Sequence, residues 1–185
     1  MANKEHLKQL LASISSGGSR LWNDWRIDNP GLLPELASLE LFEANLPFAN
    51  LSKADLRMAS LRLANFYNAN LENSDLSYAN LEGANLRGAN MSGSKLYKVD
   101  LAGTDLQQAN LRGADLRGAS FAGARLKGVD LAGILIEPEA FENLFEESLS
   151  RLERFALRLS KGKKQKESYP AAINANKVEP FSKNK

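Results

Sequence analysis

Asp100, Asp105, Asp115 and Asp130 lie close together in a chain of 185 residues, and clustered carboxylates are what a divalent cation or an acid–base pair requires. Their spacing argues against either use. They recur at multiples of five, and the nine-residue calcium-binding repeat of β-rolls does not fit that period. His6 is the only histidine. It falls in a segment patterned as a helix, where a surface or cap role suits it better than that of a general base. Cysteine is absent, which excludes disulfides, thiolate metal sites and a cysteine nucleophile. No G-x-x-x-x-G-K-[ST] occurs, and GANLRG at 83–88 lacks the strand–turn–helix setting that a dinucleotide site needs. These residues predict no catalytic group, no metal ligand and no cofactor.

The elements that position these side chains follow from the period itself. Large apolar residues occupy 46, 51, 56, 61 and every fifth position to 131 without a slip; they are Leu except at Phe66, Met91 and Phe121. Two positions earlier stands Ala in most frames, replaced by Ser74, Ser94, Val99, Thr104 and Val129, and the residue between is mostly Asn or Asp. On a helix this stripe would rotate round the cylinder and expose most of the leucines, and a strand needs a period of two. A backbone that turns a corner every five residues keeps one large and one small side chain inside. Four corners close a coil of 20 residues, and stacked coils hydrogen-bond at about 4.8 Å. The 18 clean frames of 44–133 then form about four and a half coils, roughly 22 Å of solenoid. On such a coil, aspartates five apart face different walls.

The pattern resembles the pentapeptide-repeat family, whose consensus is A(D/N)LXX. ANLEGANLRGAN and ANLRGADLRGAS carry the match, which covers about half the chain without a gap. The resemblance implies an all-β solenoid, a right-handed quadrilateral β-helix. Weaker frames, Pro34-Glu35-Leu36, Leu39-Glu40-Leu41 and Ile134-Leu135-Ile136, keep the phase, so the repeats are read over 34–137. LWNDWRIDNP, at 21–30, is similar to the N-terminal segment of many cyanobacterial members. The last residue of each frame is bulky or polar through Tyr78 and mostly glycine from Gly83 onward. Glycine favours the positive φ of type II turns, which predicts more uniform corners in the second half.

A solenoid must cover its ends, because open edges pair with other chains. Residues 1–33 read as a helical cap. One helix spans 3–13, with Leu7, Leu10 and Leu11 on a face; SSGG breaks it; a second spans 19–28, with Trp22 and Trp25 on a shared face. Residues 138–160 read as the other cap. Pro138 suits a first helical turn, and Phe141, Leu144, Phe145, Leu149, Leu152, Phe155, Ala156 and Leu159 mark an amphipathic helix. It can cover the last coil and leave a part free to meet a second copy as a homodimer. Residues 134–160 hold three Lys/Arg against six Asp/Glu, and 161–185 seven against two, so the net charge of +2 hides a basic tail behind an acidic helix. The lysine-rich tail, 161–185, is expected to be disordered. MANKEHLKQLLASISS is too polar for a secretory signal and no run approaches a membrane span, which predicts a cytoplasmic protein.

Function then falls to the outer walls, where residues 20 apart stack. One wall carries Arg57, Ser77, Tyr97 and Arg117 beside Met58, Tyr78, Lys98 and Gly118. Aromatics with arginine are what interaction hot spots are made of. Arg57, Met58, Tyr78, Tyr97, Lys98 and Arg117 are therefore the candidate protein-interaction wall, and Phe48, Tyr67, Arg87 and Lys127 lie on the next richest. The expected function is a non-enzymatic protein–protein interaction scaffold or regulator, with a protein partner, no small-molecule substrate and no membrane. The alternative, implied by some members of the resembled family, is a DNA-mimic binder of type II topoisomerase. Mimicry needs a continuous negative surface, whereas 44–133 carry ten Lys/Arg and eight Asp/Glu. The tail alone would bind nucleic acid weakly and with strong salt dependence, so specific binding is not expected.

Lys95 breaks the Asn/Asp rule. Its column on a 20-residue coil is Glu35, Asp55, Asp75, Lys95, Asp115 and Leu135, so the cation falls between two carboxylates and relieves their repulsion. Arg125 stacks next to Asp105 in the same way. The column of Asn50, Asn70, Asn90 and Asn110 needs no cation, because amides can form a ladder.

Overall fold

The computed structural model describes residues 2–137. The expected C-terminal helix at 138–160 and the tail at 161–185 lie outside the described residues. The repeat is a stack of coils with a period of 20. Parallel bridges join each residue of the Asn/Asp column to the one 20 later, from Glu35–Asp55 through Asp75–Lys95 to Asp115–Leu135. Each corner is pinned on both sides. Leu56 N–H donates to the Asp75 carbonyl at 2.8 Å in the next coil, and Asp55 N–H donates to the Pro34 carbonyl at 2.8 Å in the preceding one. Ala59 N–H closes a four-residue turn onto the Leu56 carbonyl at 3.2 Å.

That turn needs a left-handed residue at its third position, and Met58 has φ +58°. The same holds in both halves of the rod. Non-glycine residues from Ser38 to Gln108 take φ between 52 and 62°, and the corner glycines from Gly83 to Gly133 take 64 to 76°. The corners are therefore no more regular where glycine takes over, contrary to the expectation from composition. The glycines have a second reason. A Cβ on Gly83 would lie 2.6 Å from Leu63 Cδ2, one on Gly118 2.8 Å from Lys98 Cγ, and one on Gly88 would run into Asn68 Oδ1. Bulky corner residues of one coil drape over glycines of the next.

The interior alternates the large and small columns. The central leucines from Leu46 to Leu116 are buried, as are the alanines facing them. Burying one leucine contributes about 1.5–3 kcal/mol, which sets the period. The polar residues in the small column do not break this interior. Ser74 Oγ donates to the Leu71 carbonyl and Ser94 Oγ to the Met91 carbonyl, each at 2.7 Å, and Thr104 Oγ1 donates to the Leu81 carbonyl at 3.0 Å. A buried hydroxyl with a partner costs little; an orphaned one costs about 1–3 kcal/mol.

The Asn/Asp position has its own task. Its side-chain oxygen accepts the N–H of the residue two further on, which sits at the exposed start of the turn. Asn70 does this for Glu72 at 3.1 Å, Asn80 for Glu82 at 2.9 Å and Asp100 for Ala102 at 3.0 Å. Asn and Asp supply that acceptor equally, which is why they interchange. Amide ladders add to it. Asn110 Nδ2 donates to Asn90 Oδ1 at 3.1 Å and Asn90 to Asn70 at 3.5 Å; Asn85 donates to Asn65 at 3.1 Å and Asn65 to Asn45 at 2.8 Å.

Two helices precede the coils, α1 (Lys4–Ser15) and α2 (Arg20–Asp28). Asn3 caps α1, accepting from Glu5 N–H at 3.0 Å. Trp22 of α2 is fully buried, 5.1 Å centroid to centroid from Trp25. His6 of α1 is buried beside Trp25, and its Nδ1 accepts the Glu35 N–H at 3.0 Å. The only histidine thus serves the junction between α1 and the first coil.

The first coil exposes carbonyls along its upper edge, because each would accept from a coil that does not exist. Side chains of α2 and of its N-cap Ser19 donate instead. Ser19 Oγ reaches the Pro47 carbonyl, Trp22 Nε1 the Asn50 carbonyl at 2.8 Å and Arg26 Nη2 the Ser52 carbonyl at 3.3 Å. Asn50 N–H, the edge's one donor at that corner, is taken by Asn23 Oδ1 at 2.8 Å. Arg26 is buried with no carboxylate paired to it among the described residues, and burial lowers its pKa from the usual guanidinium value. The carbonyls stand in for the missing anion.

Candidate interaction surface

The six residues of the candidate wall occupy the two outward turn positions after Leu56, Leu76, Leu96 and Leu116; five are exposed and Tyr97 is half-buried. Met58 and Tyr78 are 67% and 55% exposed. Backbone bonds set their spacing: Met58 N–H donates to the Ser77 carbonyl at 3.0 Å, Tyr78 N–H to the Tyr97 carbonyl and Lys98 N–H to the Arg117 carbonyl, both at 2.9 Å. From Arg57 to Arg117 is three coil steps, about 14 Å along the rod.

Tyr78 and Tyr97 meet edge to face, 5.5 Å between centroids. The Lys98 ammonium lies 5.8 Å from the Tyr78 ring and 5.4 Å from the Tyr97 ring. Both are within cation–π reach, so the three side chains form one cluster. Arg57 and Arg117 stand at the two ends, each clamped by its own turn. Arg57 Nε and Nη2 grip Asp55 at 2.8 and 2.7 Å, and Arg117 grips Asp115 at 2.8 and 2.6 Å. The Arg57 hydrogen bond holds the Asp55 carboxyl below its ordinary pKa against the opposing effect of desolvation, and Arg117 does the same for Asp115. The bonded carboxylates raise both guanidinium values in turn. Each arginine is thus held by two hydrogen bonds to its own aspartate.

The structure brings Tyr78, Tyr97 and Lys98 together and leaves Met58 to the side of Arg57. Phe48 and Tyr67 on the second wall also pair edge to face, at 5.6 Å, and both are exposed, whereas Tyr97 of the first wall is half-buried. Sequence reasoning passed over Phe42 and Leu63 on the wall after Leu41 and Leu61, and Ile27, Leu32 and Leu33 near the N-terminal end; all are exposed apolar residues. Large apolar types at the two outward positions of a frame are the signal that finds the first pair.

Asp100, Asp105, Asp115 and Asp130 stand in four different columns, opposite Asn80, Asn85, Lys95 and Asn110. Among the described residues no group of three or more His, Asp or Glu is placed to share a metal ion. No helix of the described residues is long and apolar enough to cross a membrane.

The model of pentapeptide repeats matches the chain over 40–77, 64–103 and 94–133, with eight copies. Among solved structures, Rfr23, a pentapeptide repeat protein from the cyanobacterium Cyanothece 51142, is 28% identical with a TM-score of 0.51, over 64% of this chain and 100% of its own. Alr5209 from Nostoc Pcc 7120 is 44% identical over 45% of this chain and 75% of its own, with a TM-score of 0.42. HetL, a pentapeptide repeat protein from Nostoc sp. strain PCC 7120 involved in heterocyst differentiation regulation, is 30% identical over 57% of this chain and 60% of its own, with a TM-score of 0.25. Comparison with curated proteins gave no match.

Proposed function

Because this chain belongs to the pentapeptide-repeat family, whose members fold as right-handed quadrilateral β-helices, we infer that it is a protein-interaction scaffold working through one wall of the rod. The family is generally one of non-enzymatic structural or interaction proteins. The observation that carries the reading is the cluster of exposed Tyr78 and Lys98 on half-buried Tyr97, between two arginines each bonded to its own aspartate. Fixed aromatics lose little entropy on binding, and flanking charges that are already paired cost little to bring against a partner. A partner that fits places an apolar or aromatic group on the tyrosines and an acidic group near Lys98.

The DNA-mimic alternative meets a second obstacle beyond net charge. Of the eight carboxylates in 44–133, six are engaged by cations: Asp55 by Arg57, Asp75 by Lys95, Glu82 by Arg62, Asp105 by Arg125, Asp115 by Arg117 and Asp130 by Arg112. No run of unpaired negative charge is left to imitate a phosphate backbone.

Affinity capture from the native host tests the scaffold reading. The chain is compared with a Tyr78→Ser/Tyr97→Ser variant and with Phe48→Ser/Tyr67→Ser on the other wall. Loss of a partner in the first variant alone supports the assignment. An unchanged set of partners in the first variant contradicts it.

A further inference from the structure

Of the six arginines in 44–133, five grip a carboxylate: Arg57 holds Asp55, Arg62 Glu82, Arg112 Asp130, Arg117 Asp115 and Arg125 Asp105. Arg87 is the exception among the described residues. An arginine at its place in the turn has two routes to a carboxylate. Arg57 and Arg117 take the aspartate two residues before them, but Arg87 follows Asn85. Arg112 takes the aspartate 18 residues further on, Asp130 in the next coil, at 3.1 Å. The residue that stands in this relation to Arg87 is Asp105, and Arg125 holds it from the coil after at 2.9 Å. Arg125 is a cation in a column of Asn and Asp, bridged to Asp105, so this departure from the repeat leaves Arg87 without a partner.

Arg87 lies on the wall after Leu46, Phe66, Leu86, Leu106 and Leu126. Backbone bonds order its surface. Phe48 N–H donates to the Tyr67 carbonyl at 2.8 Å, Asn68 N–H to the Arg87 carbonyl and Gly88 N–H to the Gln107 carbonyl, both at 2.9 Å, and Gln108 N–H to the Lys127 carbonyl at 3.0 Å. One outward column therefore reads Tyr67, Arg87, Gln107 and Lys127. No carboxylate stands at the outward turn positions from Pro47 to Gly128, and none pairs with Lys127 among the described residues. Arg87 and Lys127 are both exposed, two coil steps or roughly 10 Å apart, with half-buried Gln107 between them. One step before Arg87 lies the exposed Phe48–Tyr67 pair.

We propose that this wall binds an extended acidic segment of a partner protein, with one carboxylate on Arg87, a second on Lys127 and an apolar side chain on Phe48 and Tyr67. An extended strand advances about 3.3 Å per residue, so the two acids stand about three residues apart and the apolar residue about two before the first. A guanidinium that faces no carboxylate of its own chain offers its fork of donors to a bidentate one. A nucleic-acid strand is the poorer occupant. It carries a phosphate about every 3.4 Å along the helix axis and would lay several on the uncharged Gln107. The wall stands two corners from that of Tyr78 and Tyr97, on the opposite side of the rod, so either surface can fail without the other.

The test titrates the full chain, isotope-labelled for amide resonances, with the capped peptide Ser-Phe-Ser-Glu-Ser-Ser-Glu-Ser and with its counterpart carrying Gln for Glu. The Glu peptide should shift the amides of Tyr67, Arg87, Gln107 and Lys127, and the Gln peptide should leave them in place. Arg87→Gln should weaken the Glu peptide about fivefold or more, and Lys53→Gln, which removes the same charge from another wall, by less than about twofold. Arg125→Asn should weaken it too, because Asp105 is then released to Arg87. Arg125→Asn/Asp105→Asn, with the net charge of the parent, should restore it. Unmoved amides at Leu71 and Leu76 show in each variant that the rod is folded, and Lys127→Gln serves where Arg87→Gln disturbs them. Four results would overturn the proposal. These are no shift of the four amides by the Glu peptide, equal loss on Arg87→Gln and Lys53→Gln, no recovery in the double variant, and a thymidine oligonucleotide that shifts the same amides at lower concentration, which assigns the wall to nucleic acid.

Discussion

The Lys95 ammonium lies 3.4 Å from the Asp75 carboxylate in the coil before it, while Asp115, in the coil after, is held by Arg117 at 2.6 Å. Lysine at this position relieves its column on one side only. It also sacrifices something, since a lysine has no oxygen to accept the Tyr97 N–H, as Asp75 accepts that of Ser77 at 3.1 Å. An exposed pair contributes about 0.2–1 kcal/mol and the missing hydrogen bond about 1 kcal/mol. Lys95→Asn should therefore match or exceed the parent in melting temperature. Lys95→Asp gains the same hydrogen bond but faces an unpaired Asp75, and should melt below Lys95→Asn. The gap should close at about 1 M salt, where the screening length is about 3 Å.

The Asn/Asp column was readable as a pattern, and the 20-residue coil followed from it. Its purpose was not readable, because the acceptor role of Asn80 towards Glu82 N–H exists only once the turn is folded. Asn80→Asp keeps the acceptor but stands beside Asp100, so it should leave thermal stability within experimental error at about 1 M salt, where that repulsion is screened. Asn80→Ala should lower it by about 0.5–1.5 kcal/mol in denaturant titration.

Glycine at the corners illustrates a different limit. Composition suggested that glycine regularises the turns, yet Phe48 and Met58 hold the same left-handed φ as Gly113. What sequence alone could not weigh was the neighbour one coil away. Gly113→Ala has open space around its Cβ and should cost only about 1 kcal/mol for the left-handed backbone. Gly88→Ala meets the Asn68 side chain and should cost clearly more. Asn68→Gly in the same chain should return Gly88→Ala to the level of Gly113→Ala.

Acid should weaken the wall through Asp55 and Asp115. Both carboxyls are held below their ordinary value, chiefly by the Arg57 and Arg117 hydrogen bonds, so the folded state keeps them ionised to lower pH than the unfolded chain does. Their contribution is complete above about pH 5 and is lost as pH falls below about 4, through the folded-state values. Thermal melts between pH 6 and 3 should fall less steeply for Asp55→Asn/Asp115→Asn than for the parent.

The candidate wall was legible because the 20-residue period aligns Met58 with Tyr78 and Tyr97 with Arg117. The clamping of Arg57 by Asp55 was not, since residues two apart meet only on the folded turn. The carbonyl edge of the first coil that Trp22 and Arg26 cover was equally hidden. It follows from the direction of the Leu56–Asp75 hydrogen bond, which no side-chain pattern records.

The central claim is that Tyr78 and Tyr97 form the contact surface, and affinity for a partner captured by the native chain measures it most directly. Titration calorimetry should show Tyr97→Ser weakening that partner by at least about tenfold, as hot-spot truncations do, with Phe48→Ser changing it by no more than about twofold. Equal affinity of Tyr97→Ser and the parent, or a greater loss on Phe48→Ser, would contradict the account.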